Sequence, residues 1–412
     1  MMHIDIKCFL QIMFYLQSIK SAKFASLNLL TLIYFITTHA FSSQASISYI
    51  IGGGTSNPPR INTSTAFPDA LAISLKNIQA VVQDSKGNIY VADSERTSIL
   101  KATLNANSQT QPSYTISTIV SGVPGCFVLA IDSKDNLYTV DNVQHQIIKI
   151  NTTTGQNSVI AENLPSSNST GNDNNSINFG IIRGIAVDSN FNVFITDTDQ
   201  NMIKKIPTND QGNTYQPLIT IAGQAPSKLV STNNLCVPAA LADNAGYLDG
   251  IATQAKFNSP RGIAVDNAGN LYVADMQNHL IRKLTNQNGA YTVSTLAGSM
   301  SSNGQPNPGF MGDNGQGRSA QLNGPTGVSV SKDGNKIYWV EFQNNLIRSL
   351  DSQSGIISTL ASNSATPNAN MSIQNAMLAN PVRLSMFYKP DGSPQGLLIA
   401  DRNNNLVKKI LF

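Results

Sequence analysis

Along most of this 412-residue chain, apolar and polar residues alternate in short runs that recur in a fixed order. The clearest copy opens with small apolar residues, Gly262-Ile-Ala-Val-Asp266, and turns through Asn-Ala-Gly-Asn270. It continues as Leu271-Tyr-Val-Ala-Asp275 and, after a short loop, as Leu280-Ile-Arg-Lys-Leu284. Other copies run from Ala80 to Leu104, Val128 to Ile150, Gly184 to Ile206, Gly327 to Leu350 and, more loosely, Arg383 to Leu411. Period-2 alternation predicts half-buried strands, and Asp followed by Gly-Asn predicts a tight turn between the first two. A unit of this length repeated six times is one supersecondary element copied along the chain.

A fourth alternating run follows the third in five copies, as in Tyr114–Val120 and Tyr291–Ala297. The sixth copy has none before Phe412, but Ile47-Ser-Tyr-Ile-Ile-Gly-Gly53 carries the same pattern near the other end. The fold expected is all-β: a six-bladed β-propeller of four-stranded antiparallel blades over 46–412. The N-terminal strand would complete the last blade, leaving no unpaired terminal sheet.

The stretch Pro260 to Leu284, which spells Asn278-His279-Leu280, strongly resembles the NHL-repeat family of β-propellers. The lead-ins Gly246 to Pro260 and Gly312 to Pro325 are similar to that family too. Copies one, two and six depart most: Phe387 stands where the first strand should end in Asp, and Pro-x-Gly before the strand is lost. The resemblance implies a propeller scaffold. Its six-bladed relatives include metal-dependent lactonases and lyases, and its intracellular ones include RNA binders.

The second strands end in Asp93, Asp141, Asp197, Asp275, Glu341 and Asp401, spaced by 48, 56, 78, 66 and 60 residues. A unit needs about 40, so the excess is inserted loop. It falls between each fourth strand and the next first strand: 54–79, 162–183, 223–261, 298–326 and 361–382. In a meander these connections share a face with the loops between strands two and three. That crowded rim around the channel is the expected ligand face.

Acids repeated in every copy are expected to hold turns by accepting backbone N–H bonds, rather than to perform chemistry. His145 and His279 occupy the same repeat position, where an ordinary turn role competes with metal binding. Arg183 and Arg261 precede the first strand at matching positions, with Arg383 displaced by one. They would favour anionic ligands if they face the channel. Glu95, Arg96, Asp199 and Arg402 stand in loops on the same rim. Asp243, Asp249 and Asp313 lie in Gly/Asn-rich loops that could offer oxygens to calcium, although no complete calcium-loop pattern occurs. No catalytic residue is assigned, because nucleophile elbow, phosphate loop and zinc-helix motifs are missing from the sequence.

Charged residues make up only 12% of the chain and the net charge is +3, which gives no electrostatic case for nucleic acid. The first 45 residues differ from the rest. Lys7, Lys20 and Lys23 precede an apolar run from Phe24 to Phe41, followed by Ser43 and Ala45. This predicts a secretory signal, with Met13 a possible start and Ala40 an alternative cleavage point, or else an uncleaved membrane anchor. Export would make the protein secreted, periplasmic or displayed at the cell surface. Removal of Cys8 would then leave Cys126 and Cys236 in an oxidising compartment, whether bonded or not. The expected function is a non-catalytic binding propeller recognising protein or carbohydrate through its loop-rich face. The alternatives are a metal-dependent propeller enzyme with its site at the channel mouth, and an RNA-binding propeller.

Overall fold

A computed structural model describes residues 46–54, 70–105, 113–163, 179–225, 244–363, 373, 376–389 and 391–412. The expected leader (1–45), Cys236 and Asp243 lie outside the described residues. The fold is a six-bladed β-propeller, each blade an antiparallel meander. Its inner strands, from blade one to blade six, are Ile78–Gln83, Ala130–Ile131, Ile182–Val187, Pro260–Val265, Pro325–Val330 and Pro381–Tyr388. Each touches the inner strands of both neighbours, and blade six touches blade one.

Closure follows the expected route. The strand Ser46–Ile51 pairs antiparallel with Leu406–Leu411, placing Ile47 opposite Ile410. Ile51 is fully buried with Ile73, Leu75 and Val407, in the core that joins the last blade to the first. Blade four exceeds expectation. Its preceding loop adds a fifth strand, Gly250–Ile251, on the outer edge strand Ala290–Ala297.

The shared residues build the blades. In blade one, Asp84 Oδ1 accepts the N–H groups of Lys86 and Asn88, while Oδ2 accepts from Asn88 Nδ2 and Tyr90 Oη. Asp132 and Asp266 repeat this network with Asn136/Tyr138 and Asn270/Tyr272. The Asp-to-Asn spacing of four residues therefore makes a turn in which the Asp carboxylate is fully used by its own turn and by the Tyr two residues on. The Pro-x-Gly glycines have a different cause. A Cβ on Gly262 would lie 2.7 Å from the Thr326 carbonyl oxygen, and one on Gly327 would lie 2.8 Å from the Arg383 Cα. Inner strands meet backbone to backbone here, so only hydrogen fits.

Candidate functional site

The acids ending the second strands do accept backbone N–H bonds. Asp275 takes that of Asn258, Glu341 that of Asn323, Asp401 that of Ala379 and Asp197 that of Gly180. Asp93 takes those of Lys76 and Arg96, and Asp141 those of Val143 and Gln144. The sequence reading missed their second partner. A buried cation in the third strand faces four of them: Lys204 with Asp197, Arg282 with Asp275, Arg348 with Glu341 and Lys408 with Asp401. Burial still pushes the Asp275 and Glu341 carboxyls upward, and these cations pull against it. The signal was present in Leu-Ile-Arg-Lys-Leu, where a charge interrupts an apolar strand.

Three of these cations, Arg282, Arg348 and Lys408, also hold the loops entering their own blades. Arg282 donates to the carbonyls of Leu248 and Lys256 and to Asp249. Arg348 donates to the carbonyls of Phe310, Met311 and Gln321 and pairs with Asp313 at 3.1 Å. Lys408 donates to the carbonyls of Ala376 and Met377. Asp249 and Asp313, the two described members of the calcium expectation, are thus each paired with an arginine. Among the described residues no group of three His, Cys, Asp or Glu side chains could hold a metal ion.

His145 and His279 take left-handed backbone at φ 52° and 56°, as do Thr97, Asn201, Asn345 and Asn405 at the same repeat position. Four of these six side chains latch one blade to the next. Asn201 Oδ1 accepts the N–H of Ser259, His279 Nδ1 that of Gly324, Asn345 Oδ1 that of Asn380 and Asn405 Oδ1 that of Asn77. The last crosses the ring closure. His145 lies edge-on to Phe179, with ring centroids 6.3 Å apart. Arg96 turns to Asp93 at 2.8 Å, and Glu95 is an exposed partner of Lys76.

Arg183, Arg261, Arg383 and Arg402 are the candidates that converge. The first three come from the channel ends of inner strands in blades three, four and six, and Arg402 from a loop of blade six. Arg383 stands opposite Ala400 as Gly184 stands opposite Thr196 and Gly327 opposite Val340, so the last blade puts an arginine where blades three and five have glycine and blade one has Ala80. Its Nη2 crosses to the Arg183 carbonyl, and its Nη1 donates to the carbonyls of Thr326 and Val382 at 2.6 and 2.9 Å. Arg183 lies 4.9 Å from the Phe127 ring centre and Arg402 lies 5.1 Å from that of Phe342. Burial, with Arg183 and Arg402 adding repulsion, lowers Arg261 to about 10. Burial, with Arg261 and Arg183 adding repulsion, lowers Arg383 to about 9. Asp199 faces Arg183, but burial raises its carboxyl and its Oδ2 accepts the N–H of Ile181.

The tight-turn face carries a polar cleft of about 230 Å³ between Asp188–Asn192 and Asp266–Gly269. Its carboxylates Asp188 and Asp266 are already occupied by turn hydrogen bonds. Cys126 is a fully buried free thiol, pushed up to about 12 by burial.

A family model described as NHL repeat matches residues 257–284. NHL repeat-containing protein 2 of Bos taurus is 51% identical over 55 residues, which is 13% of this chain and 7% of that protein; the Homo sapiens protein matches equally. The matched stretch thus spans a small part of these relatives. Among solved structures, an auxiliary nutrient binding protein from Bacteroides thetaiotaomicron aligns over 89% of this chain and 76% of its own, with TM-score 0.56 and 13% identity. Another from Bacteroides ovatus aligns over the same shares, with TM-score 0.56 and 14% identity. At such identities the likeness is one of fold. With one blade matched as an NHL repeat and six blades closed into a ring, the chain is a six-bladed β-propeller that carries an NHL repeat.

Proposed function

We propose that this protein is an exported binding propeller that recognises a protein or carbohydrate through its loop-rich face. The observation that carries this reading is the anchoring of the long loops. Arg282, Arg348 and Lys408 pin the loops entering blades four, five and six to the scaffold from within. A loop ordered before contact loses less conformational entropy on binding, and so adds affinity. The pinned segments display Phe310, Met311 and Met377, exposed at 70, 66 and 70%. Surface apolar groups of this kind, rimmed by polar residues, suit recognition better than solvation. That Bacteroides nutrient binding proteins share the fold is compatible with this role.

The experiment is a screen of the full chain against arrays of glycans and extracellular proteins. Any hit is then measured with a loop-face variant, Phe310→Ser/Met311→Ser, and a tight-turn variant, Asn190→Ala/Lys205→Ala. Binding lost in the first and kept in the second supports the reading; the opposite pattern overturns it. Export is tested by mass spectrometry of the N-terminus of protein recovered outside the cell. A start between residues 41 and 46 supports the cleaved signal, and an intact leader on membrane-bound protein supports the anchor.

A further inference from the structure

The geometry points to an oxyanion site in the channel mouth, formed by Arg183, Arg261 and Arg402 around a floor made by Arg383. It would take a carboxylate or sulfate, either as a free ion or as the charged group of an acidic sugar. The inference rests on the loop-rich face being the binding face.

The argument starts from Arg383. Its guanidinium reaches the carbonyl of residue 183 in blade three and that of residue 326 in blade five. Arg261 holds the equivalent position in blade four, between them. One cation therefore spans the inner strands on either side of another. None of the ion pairs among the described residues includes any of the four arginines. Arg261 Nε is buried without a hydrogen-bond partner, and so is Thr326 Oγ1. Elsewhere the same chain neutralises its buried cations with care, as at Arg282 and Arg348.

A purely structural reading accounts for Arg383, whose donors go to three carbonyls. It does not account for Arg261. Placing a guanidinium beside three others, with its Nε unsatisfied, destabilises the ligand-free protein. A counter-ion from solution removes that penalty. Guanidinium forks match the planar or tetrahedral oxygens of carboxylate and sulfate. Phe127 and Phe342 hold Arg183 and Arg402 in place by cation–π contact, which reduces the ordering cost of binding.

The test uses the full chain, with thermal unfolding and calorimetric titration at constant ionic strength set by sodium chloride. The probes are sodium sulfate, sodium glucuronate and, as the neutral control, glucose. We expect sulfate or glucuronate to raise the melting temperature and glucose to leave it unchanged. A response to glucuronate but not sulfate assigns an acidic sugar, and the reverse assigns the free ion. Arg261→Gln should weaken anion binding about tenfold or more. It should also raise the melting temperature of the ligand-free protein, because it removes an unpaired charge. Arg402→Gln, at the rim, should weaken binding without lowering stability and serves if Arg261→Gln misfolds. Anion responses that are equal in wild type and in every variant that folds would overturn the site. If a ligand found by array screening is lost in Phe310→Ser/Met311→Ser but unaffected by Arg261→Gln and Arg402→Gln, this inference fails while the loop-face reading stands.

Discussion

At the scale of single residues, the repeat is a set of polar side chains that finish what the backbone leaves open. His279 illustrates this. Its Nδ1 accepts the Gly324 N–H at 3.0 Å, the task that Asn performs with an amide oxygen in three other blades. Protonation would turn that acceptor into a donor facing a donor. Burial lowers the His279 pKa below its ordinary value of 6.5. The unfolded chain therefore takes up this proton more readily, and the contribution of His279 is complete above the unfolded pKa. It falls away as pH drops from about 6.5 towards the lower folded value. Urea unfolding should show the wild type losing stability between pH 7.5 and pH 5, by about 1 kcal/mol from this bond. His279→Asn keeps the latch without the titration, so its loss over the same range should be smaller. An unchanged difference would remove His279 from the account.

At the scale of elements, the acid ending the second strand and the cation in the third form a clamp in blades three to six, and in blades four to six it also grips a loop. The arginine in blade four shows the energetics best, because it is fully buried and serves both Asp275 and Asp249. Arg282→Met would remove a donor from two carboxylates and two carbonyls and the cation from both carboxylates. Removing one partner of a buried pair costs about 3–5 kcal/mol, since the remaining charge is stranded. Chemical denaturation should show a loss of that order. Hydrogen exchange should quicken at Lys256, whose N–H bonds the Leu248 carbonyl inside the gripped loop. Normal exchange there would mean that the loop orders itself without the arginine. In blades one and two the clamp changes form. Leu100 and Ile148 occupy the cation's register, and in blade one Arg96 reaches Asp93 from the loop instead.

At the scale of the whole molecule, closure joins two ends nearly the full chain apart. The strand Ser46–Ile51 supplies the outer edge of blade six. Ile51 then buries completely against residues from both the first and the last blade. Ile51→Ala should cost about 2–5 kcal/mol, the range for truncating a buried Ile or Leu. Because the cavity lies at the seam, exchange should rise first in Val407 and its strand, not uniformly around the ring. Uniform loss would show that the ring unfolds as one unit with no weaker seam. The same architecture brings Arg183 and Arg383 into contact across 200 residues, which no local pattern expresses.

The sequence by itself determined the number of blades, their strand order, the tight Asp-Gly-Asn turns and the strand that closes the ring. Each of these follows from local periodicity or from short-range hydrogen bonds that recur from copy to copy. It also marked Arg183 and Arg261 through their shared repeat position, and Arg383 one residue displaced from it, because symmetry turns equal register into equal place. It did not determine which charges would neutralise one another. Arg96, Asp249 and Asp313 looked available for ligands, yet partners 3, 33 and 35 residues away engage them. Nor did it disclose that Arg383 stands in the register of the glycines of blades three and five and reaches the inner strand of blade three. Pairing between buried charges depends on distances through space, and these exist only once the ring has closed.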